Sequence, residues 1–127
     1  MEAKVSIFNQ LAEVNHSEAI FATNTSSLSI SAIQAGIQNP ARVVGMHFFN
    51  PAPLMKLVEV VKGEQTSDEA AQTVYDLCKQ LNKTPVICKD APGFIVNRVA
   101  RPYYIESLRL AEEKAGSVEQ IDRLLES

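Results

Sequence analysis

Two residues of this chain have the chemistry of a catalytic pair: His47 and Glu59, each set in an apolar segment. A carboxylate that bonds one imidazole nitrogen fixes the ring tautomer and supports the protonated form, so the other nitrogen can take a proton. Such a pair is a general-base dyad. The alternative is structural, with His47 a satisfied core histidine and Glu59 an edge-strand charge that faces water. Spacing alone leaves both interpretations open.

Ser26 and Asn97 are the other polar candidates. Ser26, with His47 and Glu59, would supply the three groups of a hydrolase triad. A nucleophile elbow, however, sets its serine in a G-x-S-x-G turn, and no glycine lies near Ser26, which argues against acyl transfer. For Asn97, two interpretations stay open: a helix-start residue bonded to the backbone, or a side chain that binds a ligand.

The element that must position His47 is a strand that ends beside it. The apolar run over residues 42–46 predicts a buried strand, and Asn50-Pro51 cannot continue it because proline has no ladder donor. His47 is therefore expected at or just past the strand end. In open α/β sheets ligands bind outside the carboxyl ends of strands, so this position suits catalysis.

Helical and strand patterns alternate over the first ninety residues. Three helices are expected, over 2–14, from a cap at Ser29 to Gly36, and after a Thr66–Glu69 capping box. The apolar face of the third helix would hold Ala70, Val74, Leu77, Cys78 and Leu81. Strands are expected at 19–22, 42–47, 57–61 and 85–88. This alternation predicts an α/β sheet.

A turn-rich linker at Asp90–Gly93 separates this region from one with helical patterns only. A helix is predicted from about Ile95 to Lys114, kinked or delayed by Pro102, and Gly116 ends it. Ser117 and Gln120 form a capping box for a last helix. We therefore divide the chain into domains 1–90 and 91–127.

Composition limits the function classes. The chain has 127 residues, 46% of them apolar, a net charge of −3 and a pI near 5.4, which argues against nucleic acid or anionic membrane as the main partner. No apolar run approaches the roughly 18 residues that span a bilayer, and no signal sequence is recognisable, so the cytoplasm is expected. Cys78 and Cys88 lack metal-ligand spacing; both are interpreted as reduced core thiols, and no metal site is predicted.

Four blocks, in one order and spacing, resemble the NAD-dependent 3-hydroxyacyl-CoA dehydrogenase family. They are residues 23–29 (TNTSSLS), 45–51 (GMHFFNP), 55–61 (MKLVEVV) and 92–98 (PGFIVNR), and together they cover essentially the whole chain. The stretch 99–104 (VARPYY) is most similar to the bacterial branch that handles 3-hydroxybutyryl-CoA or 3-hydroxyadipyl-CoA. The resemblance implies the C-terminal half of a Rossmann-like nucleotide-binding domain followed by the first helices of an all-α substrate and dimerisation domain.

The activity that the resemblance implies belongs to fatty acid metabolism, specifically β-oxidation. It is oxidation of an (S)-3-hydroxyacyl-CoA to the 3-ketoacyl-CoA with NAD as the hydride acceptor. His47 would be the general base, and Glu59 would orient it and balance its charge. Ser26 matches the serine that bonds the substrate oxygen near the nicotinamide, and Asn97 matches a substrate-side asparagine of the helical domain.

The resemblance also implies cofactor residues and partners. Asn50 and Lys4 match positions that the family uses around the nicotinamide half of NAD, where Ser26 also lies. The expected partner is the acyl-CoA substrate, with neither nucleic acid nor membrane, and the expected state is a homo-oligomer such as a homodimer.

The departure from the family lies at the front of the chain, which has no G-x-G-x-x-G turn for the pyrophosphate. We expect that turn upstream of Met1 and the present chain to be an internal fragment with little or no dehydrogenase activity of its own. The alternative is a non-catalytic module that uses its sheet edge and helical face to associate with itself or with a partner.

Overall fold

The computed structural model describes residues 1–126 and divides them into two compact units. The first unit, Met1–Phe94, is an α/β sheet with helices, and the second begins at Ile95 and is helical. No helix within the described chain is both long and apolar enough to cross a bilayer. The predicted α/β class of the first region is therefore confirmed.

Four strands form one mixed sheet in the order β1-β2-β3-β4. They are β1 (Phe21–Thr23), β2 (Val43–Phe48), β3 (Leu57–Lys62) and β4 (Thr84–Lys89). β1 and β2 are parallel, β3 is antiparallel to β2, and β4 is parallel to β3. The carboxyl ends of β1 and β2 therefore lie at the same edge of the sheet.

The two faces of the sheet carry separate hydrophobic clusters because side chains alternate along each strand. Val43 and Val61 pack on one face with residues of helices α1 (Glu2–Val14) and α2 (Ile30–Gln34). Val44, Val58 and Val60 pack on the other face with helix α3 (Asp68–Gln80). His47 and Glu59 share the parity of Val43 and Val61, so they belong to the α1 and α2 face.

The predicted helices of the first unit are present, with differences at their ends. The Ser29 hydroxyl caps α2 by accepting from the N–H of Ala32, as predicted. The Thr66–Glu69 capping box is wrong, because Ser67 caps α3 and accepts from Ala70 N–H. Thr66 is instead buried, and its hydroxyl donates to the carbonyl of Val43 over 2.7 Å.

Two further sequence expectations need correction. Leu77 and Leu81 are 44% and 51% exposed, so Ala71 takes their place on the buried face of α3 with Ala70, Val74 and Cys78. The first strand begins at Phe21 rather than at residue 19.

Helices α4 (Val96–Glu112) and α5 (Val118–Leu125) make up the second unit. Pro102 lies inside α4. The predicted Ser117–Gln120 capping box is present at the start of α5, with both reciprocal bonds formed. Tyr103 joins the two helices, because its hydroxyl donates to the carbonyl of Leu125 over 2.9 Å.

Candidate active site

His47 and Glu59 are directly opposite each other in the antiparallel register of β2 and β3. Side chains of opposed residues lie on the same face of a sheet with Cβ atoms about 5 Å apart. His47 Nδ1 and Glu59 Oε2 are 2.7 Å apart, within hydrogen-bond distance. The pairing that the sequence suggested is therefore built by strand register alone.

Both members of this pair are removed from solvent, with 5% of His47 and 1% of Glu59 exposed. β3 lies between β2 and β4, so the alternative of an edge-strand glutamate that faces water is wrong. A buried carboxylate needs a charged or hydrogen-bonding partner, and the imidazole supplies one. The bond to Nδ1 leaves Nε2 as the nitrogen that Glu59 does not engage.

Two aromatic rings flank the imidazole of His47. The ring of Phe49 lies 4.7 Å away between centroids, and that of Phe94 lies 5.5 Å away in an edge-on arrangement. Phe94 has a φ of 48°, which is unusual for a side chain of this size, and it follows Gly93 at 75°. A large residue held in this region is typical of functional sites, since its surroundings must fix it there.

Ser26 lies in the loop after β1, at the same sheet edge, with its side chain exposed. Two neighbours order this loop. The buried Thr25 accepts from the N–H groups of Ser27 and Leu28 over 3.3 and 2.8 Å. Asn24 accepts from the N–H of Phe48, the residue after His47, over 3.1 Å. The loop that carries Ser26 is thus bonded to the strand that carries His47.

The proposed cofactor residues lie near the same edge. Lys4 Nζ donates to the hydroxyl of Thr23, the last residue of β1, over 3.3 Å, and Asn50 is exposed two residues beyond β2. An ammonium, an amide and the hydroxyl of Ser26 are donors suited to the carboxamide and ribose of a nicotinamide nucleotide. The residues present therefore fit that half of NAD, whereas none of them forms the glycine-rich turn for its pyrophosphate.

Not every predicted site residue makes a hydrogen bond to the His47–Glu59 pair. Within residues 1–126, neither Ser26 nor Asn50 is hydrogen-bonded to His47. Asn97 lies in the first turn of α4, in the second unit, and its role toward substrate stays a prediction. Across the described chain, no three His, Cys, Asp or Glu side chains converge as metal ligands would.

Two ionisable side chains near the carboxyl end of β4 have shifted pKa values. Burial first, and then the charges of Glu59 and Asp90, together raise the pKa of the Cys88 thiol to about 11. Burial would also raise the pKa of Asp90, but bonds from the Ser29 hydroxyl and from the Ser31 N–H outweigh burial and lower it. Cys88 is thus a neutral thiol close to the buried carboxylate of the pair.

Sequence reasoning missed three residues of this site: Asn24, Thr25 and Phe94. All three lie within the recognised blocks, but their side chains carry no reactive group that would single them out. The signal for Phe94 was its position after a glycine in a turn, where a left-handed conformation is common. Asn24 and Thr25 are residue types that bond nearby backbone, which is the role they have here.

Comparison with known proteins identifies the two units. The family model described as 3-hydroxyacyl-CoA dehydrogenase, NAD binding domain, matches residues 1–91, and the model of the C-terminal domain of the same enzyme matches residues 93–127. NAD is therefore the cofactor of the domain type that residues 1–91 represent.

Individual relatives agree with these models. The chain is 54% identical over 125 residues to 3-hydroxyadipyl-CoA dehydrogenase of Escherichia coli (strain K12), and 48% identical over 122 residues to the mitochondrial hydroxyacyl-coenzyme A dehydrogenase of Rattus norvegicus. These alignments cover 98% and 96% of the chain but 26% and 39% of the relatives.

A solved structure shares the fold as well. The crystal structure of 3-hydroxybutyryl-CoA dehydrogenase from Escherichia coli K12 superposes with a TM-score of 0.88 at 55% identity, over 91% of this chain and 24% of that one. The chain thus spans well under half the length of the relatives it matches, and both of its units align with the same enzyme type. The chain belongs to the 3-hydroxyacyl-CoA dehydrogenase family.

Proposed function

We propose that this chain supplies the proton-transfer site of an NAD-dependent (S)-3-hydroxyacyl-CoA dehydrogenase, with His47 as the general base. The observation that carries the proposal is the buried bond of 2.7 Å between His47 Nδ1 and Glu59 Oε2 at the carboxyl end of β2. This bond fixes the tautomer in which Nδ1 carries hydrogen, so the lone pair of Nε2 is the proton acceptor.

The proposed reaction divides its proton and its hydride between two acceptors. Nε2 of His47 takes the proton of the 3-hydroxyl group as the carbon–oxygen bond becomes a carbonyl. Bound NAD would supply the acceptor for the hydride that leaves the carbon carrying this hydroxyl. Glu59 stabilises the imidazolium that forms, because its carboxylate is buried beside the ring and needs no reorganisation. Ser26 would hold the substrate oxygen, and Asn97 would contact substrate from the second unit.

Cofactor binding by residues 1–127 is expected to be weak. Lys4, Asn50 and Ser26 would hold the nicotinamide half, but no glycine-rich turn occurs in the printed sequence to bind the pyrophosphate. Residues 1–127 alone are therefore expected to turn over little or no acetoacetyl-CoA with NADH. Sustained NADH oxidation by the purified 127-residue chain would contradict this expectation.

The test of the base is His47→Gln in the full-length gene product. Glutamine keeps a polar side chain but cannot take the proton, so kcat is expected to fall by about 10²-fold or more. Binding of NADH, followed by its fluorescence, should stay within about twofold, since the change removes no cofactor contact proposed above. His16→Gln is the matched control, because His16 is exposed and lies outside the site. Turnover that survives in His47→Gln would exclude this histidine as the base.

A second candidate is a non-catalytic module that associates with itself. The observation that favours it is an apolar patch on α4: Leu108 lies four residues after Tyr104 and three after Ile105, and the exposed fractions of Tyr104, Ile105 and Leu108 are 64%, 48% and 72%. Dehydrogenase activity of the full-length product that depends on His47 would favour the enzyme. A wild-type protein that binds no NADH but associates through α4 would favour the module.

A further inference from the structure

At its carboxyl end, β2 is bonded on the β1 side by a side chain and not by the backbone of a neighbouring strand. The paired register of β1 and β2 ends at Thr23 and Gly45, three residues before Phe48. β3 continues opposite β2 as far as Phe48, so only the β1 side lacks a backbone partner at this end. The Phe48 N–H is the donor on that side, and Asn24 Oδ1 accepts it over 3.1 Å. The asparagine thus replaces the ladder bond that β1 is too short to provide.

We infer that Asn24 is a positioning residue for His47, a role that rests on the proposed function. His47 and Phe48 share a peptide bond, so the bond to Asn24 restrains the backbone on the far side of the catalytic ring. β3 restrains the same segment from its other side through the His47–Glu59 register. Fraying at Phe48 would move Nε2 away from a fixed substrate, and small displacements of a base reduce turnover strongly.

The same bond couples the loop that carries Ser26 to the strand that carries His47. Asn24 is two residues before Ser26, and the buried Thr25 between them closes the turn by accepting from Ser27 and Leu28 N–H. A displacement of Asn24 would therefore move Ser26 relative to His47. The role assigned to Asn24 is acceptance by Oδ1, and its Nδ2 group is not required.

Two substitutions separate these parts of the Asn24 side chain in the full-length product. Asn24→Ala removes the acceptor, whereas Asn24→Asp keeps an oxygen at the same reach and removes the amide donor. Hydrogen exchange at single-residue resolution is expected to show the Phe48 N–H exchanging about tenfold faster in Asn24→Ala and near the wild-type rate in Asn24→Asp. Asn9→Ala is the matched control, because Asn9 also bonds backbone, through Nδ2 to the Gly36 carbonyl over 2.8 Å, but on α1.

Kinetics supplies the second readout. Asn24→Ala is expected to lower kcat about tenfold with KM for NAD within about twofold, and Asn24→Asp and Asn9→Ala to retain most of the activity. Unchanged Phe48 exchange or unchanged kcat in Asn24→Ala would overturn the inference. A kcat of Asn24→Asp as low as that of Asn24→Ala would also overturn it, because the group required for turnover would then be Nδ2 rather than Oδ1. A wild-type protein without turnover would instead reject the proposed function, and the exchange data would still decide whether Asn24 holds the end of β2.

Discussion

At the scale of single residues, the site depends on one buried carboxylate, that of Glu59. Val58 and Val60 flank Glu59 in β3, and both are fully buried. A carboxylate at this depth is costly to bury without hydrogen bonds, so the bond to His47 contributes to stability as well as to the proposed chemistry. Stability and catalysis therefore have to be separated experimentally at this residue.

Glu59→Gln makes that separation. Glutamine has the same shape and can still accept from Nδ1, but it carries no charge to stabilise the imidazolium. We expect kcat of the full-length product to fall about 10²-fold while the midpoint of thermal unfolding changes by only a few degrees. Glu59→Ala, which leaves a cavity and an unpartnered imidazole, should lower that midpoint clearly more. Equal kcat in wild type and Glu59→Gln would show that the charge has no part in turnover.

Cys88 gives a second residue-scale prediction, because its pKa of about 11 keeps it a neutral thiol at ordinary pH. The thiolate is the reactive form, so alkylation by iodoacetamide at pH 8 should be about a hundredfold slower than for an ordinary cysteine. The rate should rise about tenfold per pH unit up to pH 11. Peptide mapping separates Cys88 from the buried Cys78.

The variant Glu59→Gln also serves as a control for Cys88. It removes one of the two negative charges that raise the thiol pKa, so labelling should become faster. A labelling rate at pH 8 equal to that of a free cysteine would contradict the raised pKa.

Single residues were predicted from the sequence where their chemistry was distinctive. His47 and Glu59 stood out as an imidazole and a carboxylate in apolar strands, and the expectation of a contact between them is confirmed. Thr66 was misassigned to a capping box because its hydroxyl could equally serve the helix start or the core. Its bond to the Val43 carbonyl arises from tertiary packing, which a local pattern does not contain.

At the scale of elements, Asp90 links the end of β4 to the start of α2. Its Oδ2 accepts from the Ser29 hydroxyl over 2.6 Å and from the Ser31 N–H over 2.8 Å. The sequence placed Asp90 in a linker and Ser29 at a helix cap, but nothing in the sequence joined residues sixty positions apart. Long-range side-chain bonds of this kind are the part of the fold that local patterns omit.

Acid sensitivity follows from the direction of the Asp90 pKa. Because the folded pKa lies below the unperturbed value of 3.8, the unfolded state binds the proton more readily. Asp90 therefore stabilises the fold above pH 3.8, and this contribution is lost as pH falls through the folded pKa. Urea unfolding should show Asp90→Asn less stable than wild type at pH 7, with the difference shrinking below pH 3.8.

The exposed helix residue Asp76 provides the control for that experiment. Asp76→Asn on α3 should leave unfolding at pH 7 within about 0.5 kcal/mol of wild type, as is usual for surface changes. A difference between wild type and Asp90→Asn that stayed constant from pH 7 to pH 3 would contradict the assigned pKa direction.

Strand β2, which carries His47, requires a glycine at position 45, two residues before the histidine. A Cβ at this position would lie 2.7 Å from Val61 Cβ and 3.0 Å from Ile30 Cδ1, both in the core. Gly45→Ala is therefore expected to destabilise the first unit by about 1–3 kcal/mol in urea unfolding. Gly116→Ala is the matched control, since its nearest contact would be 3.5 Å. Equal stabilities of the two variants would contradict the close packing of Gly45.

At the scale of the whole molecule, β4 is one of the two edge strands of the four-stranded sheet. The six residues of β4 pair with β3 alone among residues 1–126, and Val86 and Ile87 are 37% and 42% exposed. An edge of this length with apolar side chains favours pairing with another strand. The family resemblance predicted an open sheet edge but not the strand that forms it, since strand order is a property of the assembled sheet.

Residues 1–127 are therefore expected to self-associate through β4, with light scattering after size exclusion showing a mass that rises with concentration. Ile87→Lys should shift the equilibrium toward monomer, because lysine on an edge strand opposes strand pairing. Leu54→Lys is the matched control, since Leu54 is 77% exposed but lies outside the sheet. Leu108→Lys tests the apolar patch on α4 in the same way. A monomer at every concentration would exclude self-association, and an effect of Leu108→Lys without one of Ile87→Lys would move the interface from the sheet edge to α4.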